Sequence, residues 1–228
     1  MKYILFDIDG TLIDSGGAGM HSLNLAFEEI FSVTGAFRAI SMAGKTDLQI
    51  VTEAVRMHNI DSSNGNVPEF FTRYLKHLKN TIDGKKGHIK PGIRHALELL
   101  RTQDDFVLGL LTGNIEPGAM IKLEAFGLAE FFEVGAYGDH DSDRNKLLPI
   151  AVKKLREKKG VEIDYSQCIV IGDTPRDVEC SKPYGAYAIA VATGPYSYDD
   201  LSGTGADAVF HDLSDTDNFL HILQHRQK

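Results

Sequence analysis

Apolar positions along the chain follow three successive patterns. The first is a continuous run at residues 3–6, Tyr-Ile-Leu-Phe, which delivers Asp7, Ile8, Asp9 and Gly10. An unbroken apolar run suits a strand buried on both faces of a parallel sheet, whereas a half-exposed strand alternates. After Ser15 the period becomes helical. Leu23, Phe27, Ile30 and Phe31 share one face, and Thr46 with Gln49 forms a capping box ahead of Leu48, Ile50, Val51, Ala54 and Val55. Pro68 opens a third predicted helix whose Phe70, Phe71, Tyr74, Leu75 and Leu78 lie together. Glycine-bearing stretches at 16–19 (GGAG) and 83–87 (DGKKG) bracket this segment as linkers and hinge candidates.

From Pro91 onward, helix and strand signals alternate. Helices are predicted at 93–100, 116–126 and 147–159 and after Pro175, with strands at 106–111, 132–137, 168–171, 187–192 and 208–210. This order implies an α/β protein, a Rossmann-like doubly wound parallel sheet with helices on both faces. Residues 1–15 and 87–228 form the expected core, and residues 16–86 an inserted α-helical domain.

Composition narrows the function. The 228 residues are 43% hydrophobic, enough for one large core with a small accessory domain. Lys and Arg number 24 against 32 Asp and Glu, a net charge of −8 with no basic block. Nucleic acid and anionic lipid are therefore disfavoured as partners. Cys168 and Cys180 lack CxxC spacing, which argues against a zinc site or a disulfide framework and fits a reducing cytoplasm. No apolar stretch reaches the ~20 residues of a membrane span.

Three expected strand ends carry polar residues: Asp7 and Asp9, then Thr112, Gly113 and Asn114, then Asp173 with Asp177. Parallel strands share a direction, so these residues converge on one rim, where open sheets bind ligands. Several carboxylates at one point repel. A divalent cation offsets that repulsion, and oxygen donors without His or Cys favour magnesium over zinc. Each residue also has a local reading. Asp7 and Asp9 suit a turn, Thr112 is an ordinary strand former, and Asp177 completes a capping box with Thr174.

FDIDGT at 6–11, LLTGN at 110–114 and IGDTPRD at 171–177, taken in order, resemble the haloacid dehalogenase superfamily in its phosphatase, phosphoglycolate phosphatase-like branch. The resemblance spans nearly the whole chain, since that family carries a helical cap between the first two motifs. It implies that Asp7 is the nucleophile and forms an aspartyl phosphate, and that Asp9 is the general acid and then the base. It implies further that Thr112, Gly113 and Asn114 hold phosphoryl oxygens. Asp173 would bind Mg2+ with an Asp7 oxygen and the Asp9 carbonyl, and Asp177 would support the metal directly or through water. The family's phosphate-screening cation usually lies in a Lys-Pro pair. Here the loop reads SDRNKLLP, which offers Arg144 and Lys146, and an Arg-Asn pair in related proteins favours Arg144. AGKTD at 43–47 resembles the cap's specificity loop, with Lys45 and Thr46 as substrate-binding candidates. Otherwise Lys45 is solvated and Thr46 only a cap.

The resemblance thus implies a cytoplasmic, magnesium-dependent phosphatase, monomer or homodimer, acting on a small phosphomonoester with phosphoglycolate foremost. β-Phosphoglucomutase-type transfer on a sugar phosphate is the alternative. Haloacid dehalogenation is disfavoured by Asp9 and Asp173.

Overall fold

The computed structural model describes residues 1–61, 66–83 and 86–225. Its centre is β1 (Lys2–Phe6), flanked by β4 (Phe106–Leu111) and β6 (Cys168–Gly172). With β5 (Val134–Ala136), β7 (Tyr187–Val191) and β8 (Ala208–Phe210) they form one all-parallel sheet in the order β5-β4-β1-β6-β7-β8. The continuous apolar run of β1 is explained by its two covered faces. Ile4 and Phe6 pack with α4 (Ile93–Arg101), α5 (Glu116–Ala125) and α9 (Thr216–His225); Tyr3 and Leu5 pack on the opposite face with α6 (Leu147–Lys159) and α7 (Pro175–Ser181). A short helix, α8 (Tyr198–Ser202), precedes β8.

Register decides what meets at the rim. Phe6 lies beside Leu110 on one side and Ile171 on the other. Two steps further on, the three strands therefore release the neighbourhoods of Ile8, Thr112 and Asp173 side by side. From β1 the connections run to β4 and β5, then cross back to β6, β7 and β8, so this rim is also where the winding reverses.

The inserted segment holds α1 (Ala18–Phe31), α2 (Asp47–Met57) and α3 (Asn66–Thr81) around an apolar cluster of its own. Phe27 is its hub, edge-on to Phe37 at 5.3 Å and Phe70 at 5.9 Å between centroids. A two-stranded antiparallel ribbon, β2 (Ile13–Asp14) with β3 (His88–Ile89), ties the outgoing and returning chain together at the base of the helices.

Three local expectations are adjusted. Only Gly16 and Gly17 of GGAG adopt the left-handed backbone of a connector; Ala18 and Gly19 already belong to α1. The third helix begins at Asn66, two residues before Pro68, because the first helical turn has no intrahelical use for a proline's missing N–H. The fifth strand is confined to Val134–Ala136, Phe132 standing before it. Of the expected linker at 83–87, positions 84 and 85 lie outside the described residues. Among the described residues no helix is long and apolar enough to cross a membrane.

Phe27 is fully buried among aromatic rings, so Phe27→Ala leaves a cavity and is expected to cost about 3–5 kcal/mol of stability. Denaturant unfolding checks this, and a loss below about 1 kcal/mol contradicts the described packing.

Candidate active site

Asp7 emerges from β1 with its N–H donating to the carbonyl of Ile171 at 2.9 Å. Its carboxylate, only 6% exposed, shares a pocket with those of Asp173 and Asp177: one oxygen from each lies within 4.8 Å of the others. Thr11 donates to Asp173 Oδ1 at 2.8 Å. Gly10 turns the chain with φ +87°, and a Cβ there would collide with the Asp173 carboxylate, so glycine is required both for the turn and for the room.

Arg144 supplies the counter-charge. Only 3% exposed, its guanidinium pairs with Asp177 through Nη2, which stands 3.4 Å from Asp7 Oδ2. Burial opposes its charge, but Asp177 and Asp7 outweigh that and hold the group ionised. One guanidinium does not balance three buried acids. Burial pushes Asp7 up to about 6, with Asp177 adding to the rise and Arg144 opposing it. Asp173 is driven well above the usual carboxylate range, first by burial and then by Asp177 and Asp7. A buried set of hard oxygen donors carrying excess negative charge fits a divalent cation. Arg144 Nε is buried without a hydrogen-bond partner among the described residues.

Asp177 fills its expected capping role and also pairs with Arg144. It caps α7, its Oδ2 accepting from the Thr174 amide at 3.0 Å and hydroxyl at 2.7 Å, while Oδ1 takes Arg144. Thr112 is fully buried, its Oγ1 accepting from Asn114 Nδ2 at 2.9 Å. Asp9 is more open, with 41% of its side chain exposed. Asp7, Asp9, Gly113, Asn114, Lys45, Arg144 and Asp173 all line one cleft of about 420 Å³ between the sheet rim and the helical insertion.

Two expectations are corrected. Lys146 is placed away from the acids: it stands in solvent, paired with Asp141 at 3.1 Å, because the 3₁₀ turn Arg144–Lys146 sends the two cations in different directions. Thr46 does not line the cleft. Its hydroxyl caps α2 through Gln49 and donates to the Ser142 carbonyl at 2.8 Å. Lys45 does line the cleft, but its ammonium pairs with Glu53 in the second turn of α2.

Three further residues complete the site beyond those expected from the sequence. Thr11 sits inside the first motif. Asp47 opens α2, and its N–H donates to the Gly113 carbonyl at 2.7 Å while its carboxylate accepts from Ile115 at 2.9 Å, docking the insertion onto the core loop. Lys122 is 4% exposed and reaches Asp9 and Asn114. Its signal was positional: with Gly118, Ala119 and Leu123 it lies on the buried face of α5, where a lysine needs a partner.

A sequence profile for haloacid dehalogenase-like hydrolases matches residues 4–191, a span that includes every motif residue above. The chain belongs to the haloacid dehalogenase-like hydrolase family. It is 28% identical over 230 residues to a phosphoglycolate phosphatase of Rhodospirillum rubrum, covering 98% of this chain and 92% of that protein. It is 27% identical over 221 residues to one of Chromobacterium violaceum, covering 94% of each. Among solved structures, a predicted phosphoglycolate phosphatase from Haemophilus somnus superposes with a TM-score of 0.72 at 20% identity, covering 96% of this chain and 98% of that one. A Pseudomonas syringae hydrolase gives 0.69 at 23%, covering 96% and 98%. These likenesses establish the fold. The hydrolase family and its curated relatives make this chain an enzyme, a phosphoric monoester hydrolase.

Arg144→Ala is expected to lower phosphate release about a hundredfold or more, and Lys146→Ala to change it less than about twofold. Steady-state assays of both variants decide, and a collapse only with Lys146→Ala contradicts the geometry. Asp47 offers a pH test. Burial pushes it up to about 6, opposed by the Lys122 ammonium and the Ile115 amide. Its folded pKa exceeds its unfolded one, so its stabilising contribution is full near pH 4 and lost as pH rises through 6. Asp47→Asn should therefore gain melting temperature over the parent most at about pH 7.5 and lose that advantage by about pH 4.5. A difference independent of pH contradicts the assignment.

Proposed function

We propose that this hydrolase cleaves a small phosphomonoester, phosphoglycolate foremost, in a magnesium-dependent reaction that passes through an aspartyl phosphate on Asp7. The observation that carries the reading is the placement of Asp7: a buried carboxylate at the end of the central strand, beside Arg144 and inside the acid cluster. The oxygen donors of Asp7 and Asp173, with the carbonyl of Asp9 and support from Asp177, would hold Mg2+. When bound, the ion supplies positive charge that offsets the crowded carboxylates and the phosphoryl oxygens.

The remaining steps belong to the chain's own groups. An Asp7 oxygen attacks phosphorus, the ester bond breaks, and Asp9 gives its proton to the departing alkoxide. Asp9 then takes a proton from water, which attacks the phosphorus of the acyl phosphate and returns Asp7 as carboxylate with inorganic phosphate. The Thr112 hydroxyl, the Gly113 amide and the Arg144 guanidinium take the non-transferred oxygens. A cleft of about 420 Å³ suits a small metabolite. The substrate's carboxylate would draw Lys45 from Glu53 at the rim. Phosphoglycolate carries both anions, and the curated relatives bear its name. Seating of the helical cap excludes bulk water from the acyl phosphate.

Phosphate release measured over a panel of metabolite esters tests this. Phosphoglycolate should be turned over best, chelation of Mg2+ should abolish release, and Asp7→Asn should lose at least about a thousandfold. Intact turnover in Asp7→Asn overturns the mechanism. An isomerised sugar phosphate without phosphate release would instead establish the mutase alternative.

A further inference from the structure

We propose that Lys122 is the positioning residue that orients Asp9 for proton transfer, and that it does so only beneath a seated cap. The inference rests on the role given above to Asp9. Lys122 Nζ donates to Asp9 Oδ2 and to Asn114 Oδ1, each at 2.6 Å, and Asn114 Nδ2 donates to the same Asp9 oxygen at 2.8 Å. The triangle admits one arrangement. An ammonium only donates and a carboxylate only accepts, so the Asn114 amide between them must present its oxygen to Lys122 and its nitrogen to Asp9. Both donors fall on Oδ2. Asp9 Oδ1 has no hydrogen-bond partner among the described residues, and the side chain, 41% exposed, borders the cleft.

Burying a lysine is costly unless its charge is met, and here it is met from both sides. Asp9 lies on the core side and the Asp47 carboxylate, from the cap, lies close enough to feel its charge. Gly19 in the first turn of α1 passes directly over the ammonium: a Cβ there would stand 3.4 Å from Nζ. The second half of GGAG thus closes the roof over Lys122. With the cap lifted, Lys122 loses that roof and the Asp47 charge, and the triangle would open to water. Orientation of the proton-transfer group is then tied to cap seating by one side chain that need not touch substrate.

The test uses p-nitrophenyl phosphate, whose leaving group departs without a proton, so attack by Asp7 reads as a burst of nitrophenolate and the Asp9-dependent hydrolysis as the steady state. Lys122→Met should keep the burst rate and hold kcat/KM within about twofold while kcat falls about ten- to a hundredfold, KM falling with it. In an Asp9→Asn background the same change should cost less than about twofold more. Lys122→Arg, which keeps the charge, should recover part of the loss, and it carries the same cycle if the Met variant does not fold. A slowed burst or a raised KM would make Lys122 a substrate ligand; an equal loss in both backgrounds would make it structural; either overturns the proposal. The readings separate cleanly. An inactive parent refutes the phosphatase assignment, normal turnover in Asp9→Asn refutes the role of Asp9, and an active parent with an unaffected Lys122→Met refutes the inference about Lys122 alone.

Discussion

Three carboxylates buried against a single guanidinium are the constraint on which this structure turns. Asp7, Asp173 and Asp177 come from two separate stretches of chain and repel one another in a place where water cannot screen them. The fold exists to hold them there. β1 and β6 lie side by side in register, helices cover both faces of the sheet, and Gly10 gives way where the carboxylate of Asp173 must pass. Such a cluster carries a standing cost that a folded protein accepts only where function requires it.

Much of this was legible in the residues. β1 announced itself because a strand covered on both faces has no polar positions to interrupt it, and the alternation of helix and strand dictated a parallel sheet whose carboxyl ends meet. The acids were legible as a group because Asp7 and Asp173 each follow a strand end and Asp177 stands in the first turn of the helix after the second of them. Thr46 and Lys146 were less legible, because their fate depends on directions that sequence spacing does not encode: a hydroxyl spent on its own helix cap and a 3₁₀ turn that splits two neighbouring cations. Lys122 and Asp47 were easily passed over for a different reason. A lysine in a helix and an aspartate at a helix start are ordinarily solvated or capping residues, and only the packing of the cap against the core reveals that both are buried in the cleft.

The inserted helices are therefore part of the cleft rather than a cover laid over it. Asp47 fastens them to the loop that follows Thr112, and Gly19 of α1 leaves room beside Lys122, which reaches Asp9. Core and cap contribute to one hydrogen-bonded arrangement around the reacting centre.

The excess of buried negative charge is the central claim, and thermal melting of the metal-free protein and its Asp173→Asn variant, each with and without Mg2+, tests it most directly. Asparagine removes one repelling charge and can still accept from Thr11, so the variant should melt above the parent without metal. Saturating Mg2+ should raise the parent past the variant, because the ion binds only where the charges that attract it remain. A parent whose melting is indifferent to Mg2+, or a variant that melts lower in its absence, would contradict the account.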